Sequence, residues 1–196
     1  MVFEVPYVYY NLQATFPNLP QIGGLGDVRI QGSYNTWTSD DKRLTLISFL
    51  EVFLPSADNA IVTRGPGGNE LTAFNLGTGK YVFGPGVGFV YAIQPNFIFA
   101  PVYFYEASAF GSSNRPDIRR GKWRVFAMYA WENGVYVLPE FQVLTNYLTG
   151  NNDIYVAPEI GYSRKGTIGY IKPGVGIDPD NNDRQWGLEV GVRILY

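Results

Sequence analysis

Apolar and polar residues alternate with a period of two along most of this chain. The last thirteen residues show it most plainly. Trp186, Leu188, Val190, Val192, Ile194 and Tyr196 fall on one face, and Gln185, Gly187, Glu189, Gly191 and Arg193 on the other. Such alternation is the mark of a strand, and about ten residues suffice to cross a hydrocarbon layer when the strand is tilted. The same pattern predicts strands over about 2–15, 25–37, 43–54, 79–93, 96–109, 122–132, 135–148, 152–164, 167–177 and 185–196. In the sixth, Trp123, Val125, Ala127, Tyr129 and Trp131 oppose Arg124, Phe126, Met128, Ala130 and Glu132. In the first, the phase slips near Tyr9 and Tyr10, which reads as a bulge.

Connection lengths give an independent reading. Mostly long segments (16–24, 55–78, 110–121, 178–184) alternate with short ones (38–42, 94–95, 133–134, 165–166), and only 149–151 breaks the rhythm. Long extracellular loops, short periplasmic turns and both termini in the periplasm produce this order in an even-stranded barrel. The expected fold is therefore all-β: one domain over 1–196, a closed antiparallel transmembrane β-barrel of about ten strands. A soluble barrel would turn the apolar faces inward. Ten strands close on an interior of modest diameter, too small for five or six large apolar side chains from every strand.

Composition sharpens this picture. The 15 Tyr, 13 Phe and 4 Trp are more than a soluble core of this size buries comfortably, whereas a lipid-facing barrel displays them in interfacial belts. No apolar run reaches the length of a transmembrane helix. The net charge of −2 makes no electrostatic case for nucleic acid. Cysteine and histidine are absent, which removes disulfides, thiolate metal sites, and every His-based triad or metal cluster. Neither a metal nor a cofactor is expected, and the chain is not expected to be an enzyme. Met1-Val2-Phe3-Glu4 is not a signal peptide, so a mature or trimmed form of a protein exported to the bacterial outer membrane is expected.

With the apolar faces outward, the charged lumen residues are Glu4, Asp27, Arg29, Glu51, Glu106, Arg124, Glu140, Glu159, Lys172, Glu189 and Arg193. Acids and bases interleave around the wall. They either pair and stiffen the barrel or form the polar lining of a narrow path. Glu51, Glu106, Glu140, Glu159 and Glu189, on five strands, are a weak signal for glycosidase chemistry. Gly84, Gly86, Gly88, Gly161, Gly174, Gly176, Gly187 and Gly191 also point inward. They either leave open space, or permit coiling or receive large side chains from across the lumen. Ile98, Ala100, Val102 and Phe104 face the lumen from the fifth strand. Filling the glycine sector, as in Gly86→Leu or Gly176→Leu, is expected to block passage.

Pro6, Pro85, Pro101, Pro139, Pro158 and Pro173 sit inside strands on the apolar face. Proline cannot donate to a ladder, so these positions shape the wall or weaken its pairing at particular heights. The long loop 55–78 either folds into the mouth or shields the surface. Arg115, Arg119 and Arg120 either meet lipopolysaccharide phosphates or form a solvated cluster.

Three short segments carry a family resemblance: Gly24-Leu25-Gly26-Asp27-Val28, Phe53-Leu54-Pro55-Ser56-Ala57-Asp58, and Leu76-Gly77-Thr78-Gly79. Their order and spacing resemble the outer-membrane proteins of the phenol-degradation meta-pathway family, relatives of fatty-acid transporter barrels, over roughly residues 22–196. The resemblance implies passive passage of small hydrophobic or aromatic compounds, with outer-membrane lipids and lipopolysaccharide as surroundings. This chain is shorter than such barrels and shows no N-terminal plug. The competing expectation is a narrow, filled structural or adhesive barrel that acts through its extracellular loops.

Overall fold

The computed structural model describes residues 1–10, 22–57, 77–113, 115–177 and 186–195. Ten strand positions form one closed antiparallel meander. They are β1 (Val2–Tyr10), β2 (Ile22–Leu25 and Val28–Thr38), β3 (Leu44–Leu54), β4 (Lys80–Gln94), β5 (Phe97–Gly111), β6 (Arg119–Ala130), β7 (Val135–Leu138 and Glu140–Asn146), β8 (Asn152–Val156 and Glu159–Arg164), β9 (Thr167–Gly176) and β10 (Trp186–Leu195). Each strand pairs with its neighbours in sequence, and β10 returns to β1 in an unbroken register from Val2↔Leu195 to Tyr10↔Gly187. No helix occurs among the described residues.

Alternation sorts the side chains by face. Val87, Phe89, Ile160, Tyr162, Ile171, Val190 and Val192 stand exposed on the outer wall, while Glu51, Ala100, Val102, Phe104, Glu106, Glu140 and Glu159 are buried in the lumen. A soluble protein would reverse this order. Exposed aromatics gather at both ends: Trp37, Tyr91 and Trp131 near the short turns, and Tyr105, Trp123 and Tyr147 near the long loops. At the loop end the Tyr103 and Trp123 rings pack with centroids 4.8 Å apart, and the Tyr103 and Tyr147 hydroxyls hydrogen-bond at 3.0 Å. These are the two aromatic belts of an outer-membrane barrel.

The bulge expected near Tyr9 and Tyr10 is not there, because the β1–β10 register runs through both residues without a shift. The irregularity lies on the other neighbour of β1. Pairing with β2 slips by one residue between Glu4↔Arg29 and Tyr7↔Leu25, where β2 is interrupted at Gly26–Asp27. The expected strand extension over 11–15 lies outside the described residues, as does most of the loop 55–78.

Candidate functional site: the charged belt of the lumen

The interruption in β2 has a purpose for the loop end. Asp27 Oδ2 accepts hydrogen bonds from Thr78 N (2.6 Å) and Thr78 Oγ1 (2.7 Å), and Oδ1 accepts one from Ala57 N (3.2 Å). One buried carboxylate thus holds the chain on either side of the loop between β3 and β4. Gly77 is required there, since a Cβ would lie 2.2 Å from Asp27 Oδ1. Arg119 is exposed on the same rim, and Lys80 pairs with Asp117 in the next loop.

Below this clamp a belt of ion pairs runs around the interior. Arg193 on β10 reaches Glu4 on β1 (Nε to Oε1, 2.8 Å) and grips Glu159 on β8 through both terminal nitrogens (2.5 and 2.8 Å). Glu4 pairs in turn with Arg29 on β2, and Arg29 lies 3.6 Å from Glu51 on β3. Lys122 on β6 bridges Glu51 (2.6 Å) and Glu106 on β5, and Glu106 also pairs with Arg120. Glu140 on β7 collects Arg124, Lys172 on β9 (2.6 Å) and the Gln142 amide (2.9 Å). Tyr136 donates to Glu159 at 2.5 Å, Tyr170 donates to Glu189 at 2.6 Å, and the Arg193 guanidinium lies 3.9 Å from the Tyr170 ring centroid.

Every strand but β4 supplies a charged residue to this belt. The strand β4 supplies Gly84, whose missing side chain is what lets the two carboxylates in: a Cβ there would lie 2.6 Å from Glu51 Cγ and 3.3 Å from Glu106 Cγ. Charges taken out of water are costly unless paired and hydrogen-bonded. Here Glu4, Glu51, Glu106, Glu140, Glu159 and Glu189 balance Arg29, Arg120, Lys122, Arg124, Lys172 and Arg193 one for one.

Two cavities flank the belt. One, of about 250 Å³ on the loop side, is walled by Asp27, Phe53, Gln142, Leu144, Lys172 and Glu189. The other, of about 230 Å³ on the turn side, is walled mainly by Phe49, Val102, Phe104, Phe126, Leu138 and Ile168. Arg29, Arg124 and Arg193 line both, so they form the waist between a polar chamber and a largely apolar one.

Of the lumen charges inferred from the sequence, all but Asp27 lie in this belt, with Glu140, Arg124 and Lys172 as a cluster of their own; Asp27 belongs to the clamp at the loop end. Four participants escape a sequence reading. Arg120 and Lys122 were expected in a loop and at a strand end, yet β6 starts at Arg119, and they alternate in phase with Arg124. Tyr136 and Tyr170 look like further aromatics until their hydroxyls are seen on Glu159 and Glu189.

The inward glycines are differently placed from one another. The space at Gly86 is filled by Phe104, whose ring carbon would lie 2.5 Å from an added Cβ. Val102 fills the space at Gly88, Tyr136 that at Gly161, and Tyr170 that at Gly191. The continuous open sector expected from Gly84 to Gly191 is therefore occupied, because neighbouring strands lean their large side chains into it. Space remains beside Gly174, which pairs with Gly187 and meets nothing closer than Ala157 Cβ at 3.7 Å.

A closed ten-strand barrel with an apolar outer wall, aromatic belts and a charged interior is a bacterial outer-membrane barrel of porin architecture. Solved structures agree on the fold. The NanC porin is similar at 11% identity and a TM-score of 0.60, covering 99% of this chain and 100% of its own. The KdgM porin in complex with disordered oligogalacturonate is similar at 10% identity and a TM-score of 0.58, covering 100% of this chain and 99% of its own. No family model and no curated protein sequence matches the chain.

Proposed function

We propose that the protein gives small hydrophobic or aromatic solutes passive passage across the outer membrane. The carrying observation is the pair of cavities that meet at Arg29, Arg124 and Arg193, the turn-side one walled by Phe49, Phe104, Phe126, Leu138 and Ile168. A charge-balanced belt offers no net attraction to an ion of either sign, and the apolar chamber offers a weak site to an uncharged ring. The three segments that carry the resemblance to the phenol-degradation meta-pathway family meet at Asp27, which supports that relationship as well. Catalysis is not part of this reading, since histidine is absent and the lumen carboxylates are tied into ion pairs. The surroundings are outer-membrane lipid, with the exposed Arg119 at the height of lipopolysaccharide phosphates.

Uptake of radiolabelled naphthalene by cells with an intact outer membrane tests this. Cells that carry the protein take it up faster than cells without it, and Ile168→Trp, which fills the turn-side chamber, removes the gain. A filled structural barrel is the second reading, favoured by Phe104 over Gly86, Tyr136 over Gly161 and Tyr170 over Gly191. It predicts equal uptake with and without the protein.

A further inference from the structure

The arginines at 115, 119 and 120 go to three different places. Arg120 turns inward onto Glu106. Arg115 lays its stem over Gly79, where an added Cβ would lie 2.8 Å from its Cγ, and walls a loop-end cavity with Pro55 and Ser112. Arg119 alternates with Arg120 and so faces the outer wall, where it is exposed. Among the described residues it makes no ion pair, and Asp117, two positions earlier, is paired with Lys80.

Beside Arg119, two hydroxyls meet on the face that lipid covers. Tyr147 N donates to Arg119 O at 2.8 Å, so the two residues are direct neighbours across β6 and the end of β7. The Tyr147 side chain reaches over Gly121, the next outward residue of β6, and its hydroxyl meets that of Tyr103 from β5 at 3.0 Å. Gly121 is buried beneath them, and a Cβ there would lie 2.4 Å from the Tyr147 hydroxyl and 3.0 Å from the Tyr103 hydroxyl. Two further rings hold this pair in place. Trp123 packs on Tyr103 with centroids 4.8 Å apart, and Tyr105 stacks on Tyr147 at 6.0 Å.

In such a pair one O–H donates to the other oxygen, and neither hydroxyl has a further partner among the described residues. One phenolic O–H is therefore left to donate outward. Arg119 and Gly121 stand about 7 Å apart along the strand, so the guanidinium can come over the same spot. At the loop end of an outer-membrane barrel this wall faces the outer leaflet, whose lipid carries phosphates on a sugar headgroup. A guanidinium offers phosphate a two-toothed contact, and a fixed O–H adds a third donor. The opposite sector has no counterpart. There the loop-end wall of β8 and β9 presents Val156, Val175 and Ile177, with neither hydroxyl nor charge.

We propose that Arg119, Tyr103 and Tyr147 seat one phosphate of a lipopolysaccharide molecule, held against β5 to β7 as a bound ligand and not as bulk membrane. Its acyl chains run down the exposed Trp123 and Phe141 side chains of the same sector. The site rests on Arg119 standing at the height of those phosphates. It is separate from solute passage, so the failure of either leaves the other standing.

Native mass spectrometry of the purified, folded barrel tests the site, with phosphorylated lipid A, dephosphorylated lipid A and phosphatidylglycerol offered in turn. The barrel retains one phosphorylated lipid A and holds the other two more weakly. Arg119→Gln weakens that retention about tenfold, the loss of one charge-assisted contact. Tyr103→Phe with Tyr147→Phe keeps both rings, removes both hydroxyls and weakens retention by a smaller factor. Arg115→Gln removes a cation that walls a different cavity and leaves retention at the native level. The folded migration of each variant in SDS confirms that the barrel is intact. Equal retention by the native and Arg119→Gln barrels overturns the site, and so does equal retention of lipid A with and without its phosphates. Phosphatidylglycerol held as tightly as phosphorylated lipid A overturns the choice of lipid. A native barrel that retains no lipid A overturns the proposal outright.

Discussion

Arg193 on the last strand donates to Glu4 on the first at 2.8 Å, so the side chains close the barrel where the backbone does. The same guanidinium holds Glu159 with two further bonds. Arg193→Met leaves the buried Glu159 without its cation and Glu4 with Arg29 alone, and breaking a buried pair in this way costs about 3–5 kcal/mol. We expect the variant to lose its folded, fast-migrating form in SDS at a lower temperature than the native barrel. Glu4→Gln weakens the pairs to Arg193 and Arg29 but leaves the Glu159 grip, so its loss is smaller.

The neutral belt sets ion selectivity. Six acids against six bases give no preferred sign, so the reversal potential under a potassium chloride gradient lies near that of a non-selective pore. Lys122→Gln leaves Glu51 and Glu106 side by side over Gly84 with Lys122's charge gone, and moves the reversal potential towards cation selectivity.

Gly86 is a packing position. An added Cβ meets the Phe104 ring at 2.5 Å and the Tyr103 carbonyl at 2.8 Å, so Gly86→Leu destabilises the barrel instead of plugging a path. Overpacking of this kind costs about 1–3 kcal/mol or more. Pairing Gly86→Ala with Phe104→Leu restores much of the loss in a thermal or denaturant titration, and failure of the pair to restore anything argues against this packing.

Asp117, in the loop after β5, is held below the ordinary carboxylate range by its hydrogen bond to Lys80, with the Lys80 charge adding to it. A depressed carboxylate contributes its contact above the ordinary Asp value of about 3.9 and loses it as pH falls through the lowered value. The amide of Ile118, which donates to Ser108 Oγ at 2.9 Å beside this pair, should lose protection at the acid end of that window. Asp117→Asn should make its protection independent of pH there.

Most of the wall was legible in the sequence, because a lipid-facing strand alternates strictly and the turns carry little else. Trp186 to Ile194 and Trp123 to Trp131 declare their outer faces residue by residue. The interior was legible only in part. Alternation says that Gly86 and Gly161 face inward, but whether they leave a void depends on Phe104 and Tyr136 reaching across from neighbouring strands, and that is fixed by register. The same holds for the prolines. All but Pro6, which shares the inward phase of Glu4 and lines the loop-side cavity, could be placed on the outer face, yet the alignment of Pro139, Pro158 and Pro173 follows only once both ladders are paired. The slip expected near Tyr9 was a real irregularity attributed to the wrong strand, since Gly26 and Asp27 on β2 absorb it.

The most direct test of the account compares naphthalene with naphthalenesulfonate in the same cells, with and without the protein. The two share a ring system and differ by one fixed charge. A route through an apolar chamber and a neutral belt predicts that the protein speeds naphthalene uptake, in proportion to its concentration, and leaves the sulfonate near the protein-free rate. Naphthalene uptake that is identical with and without folded protein in the outer membrane would contradict it.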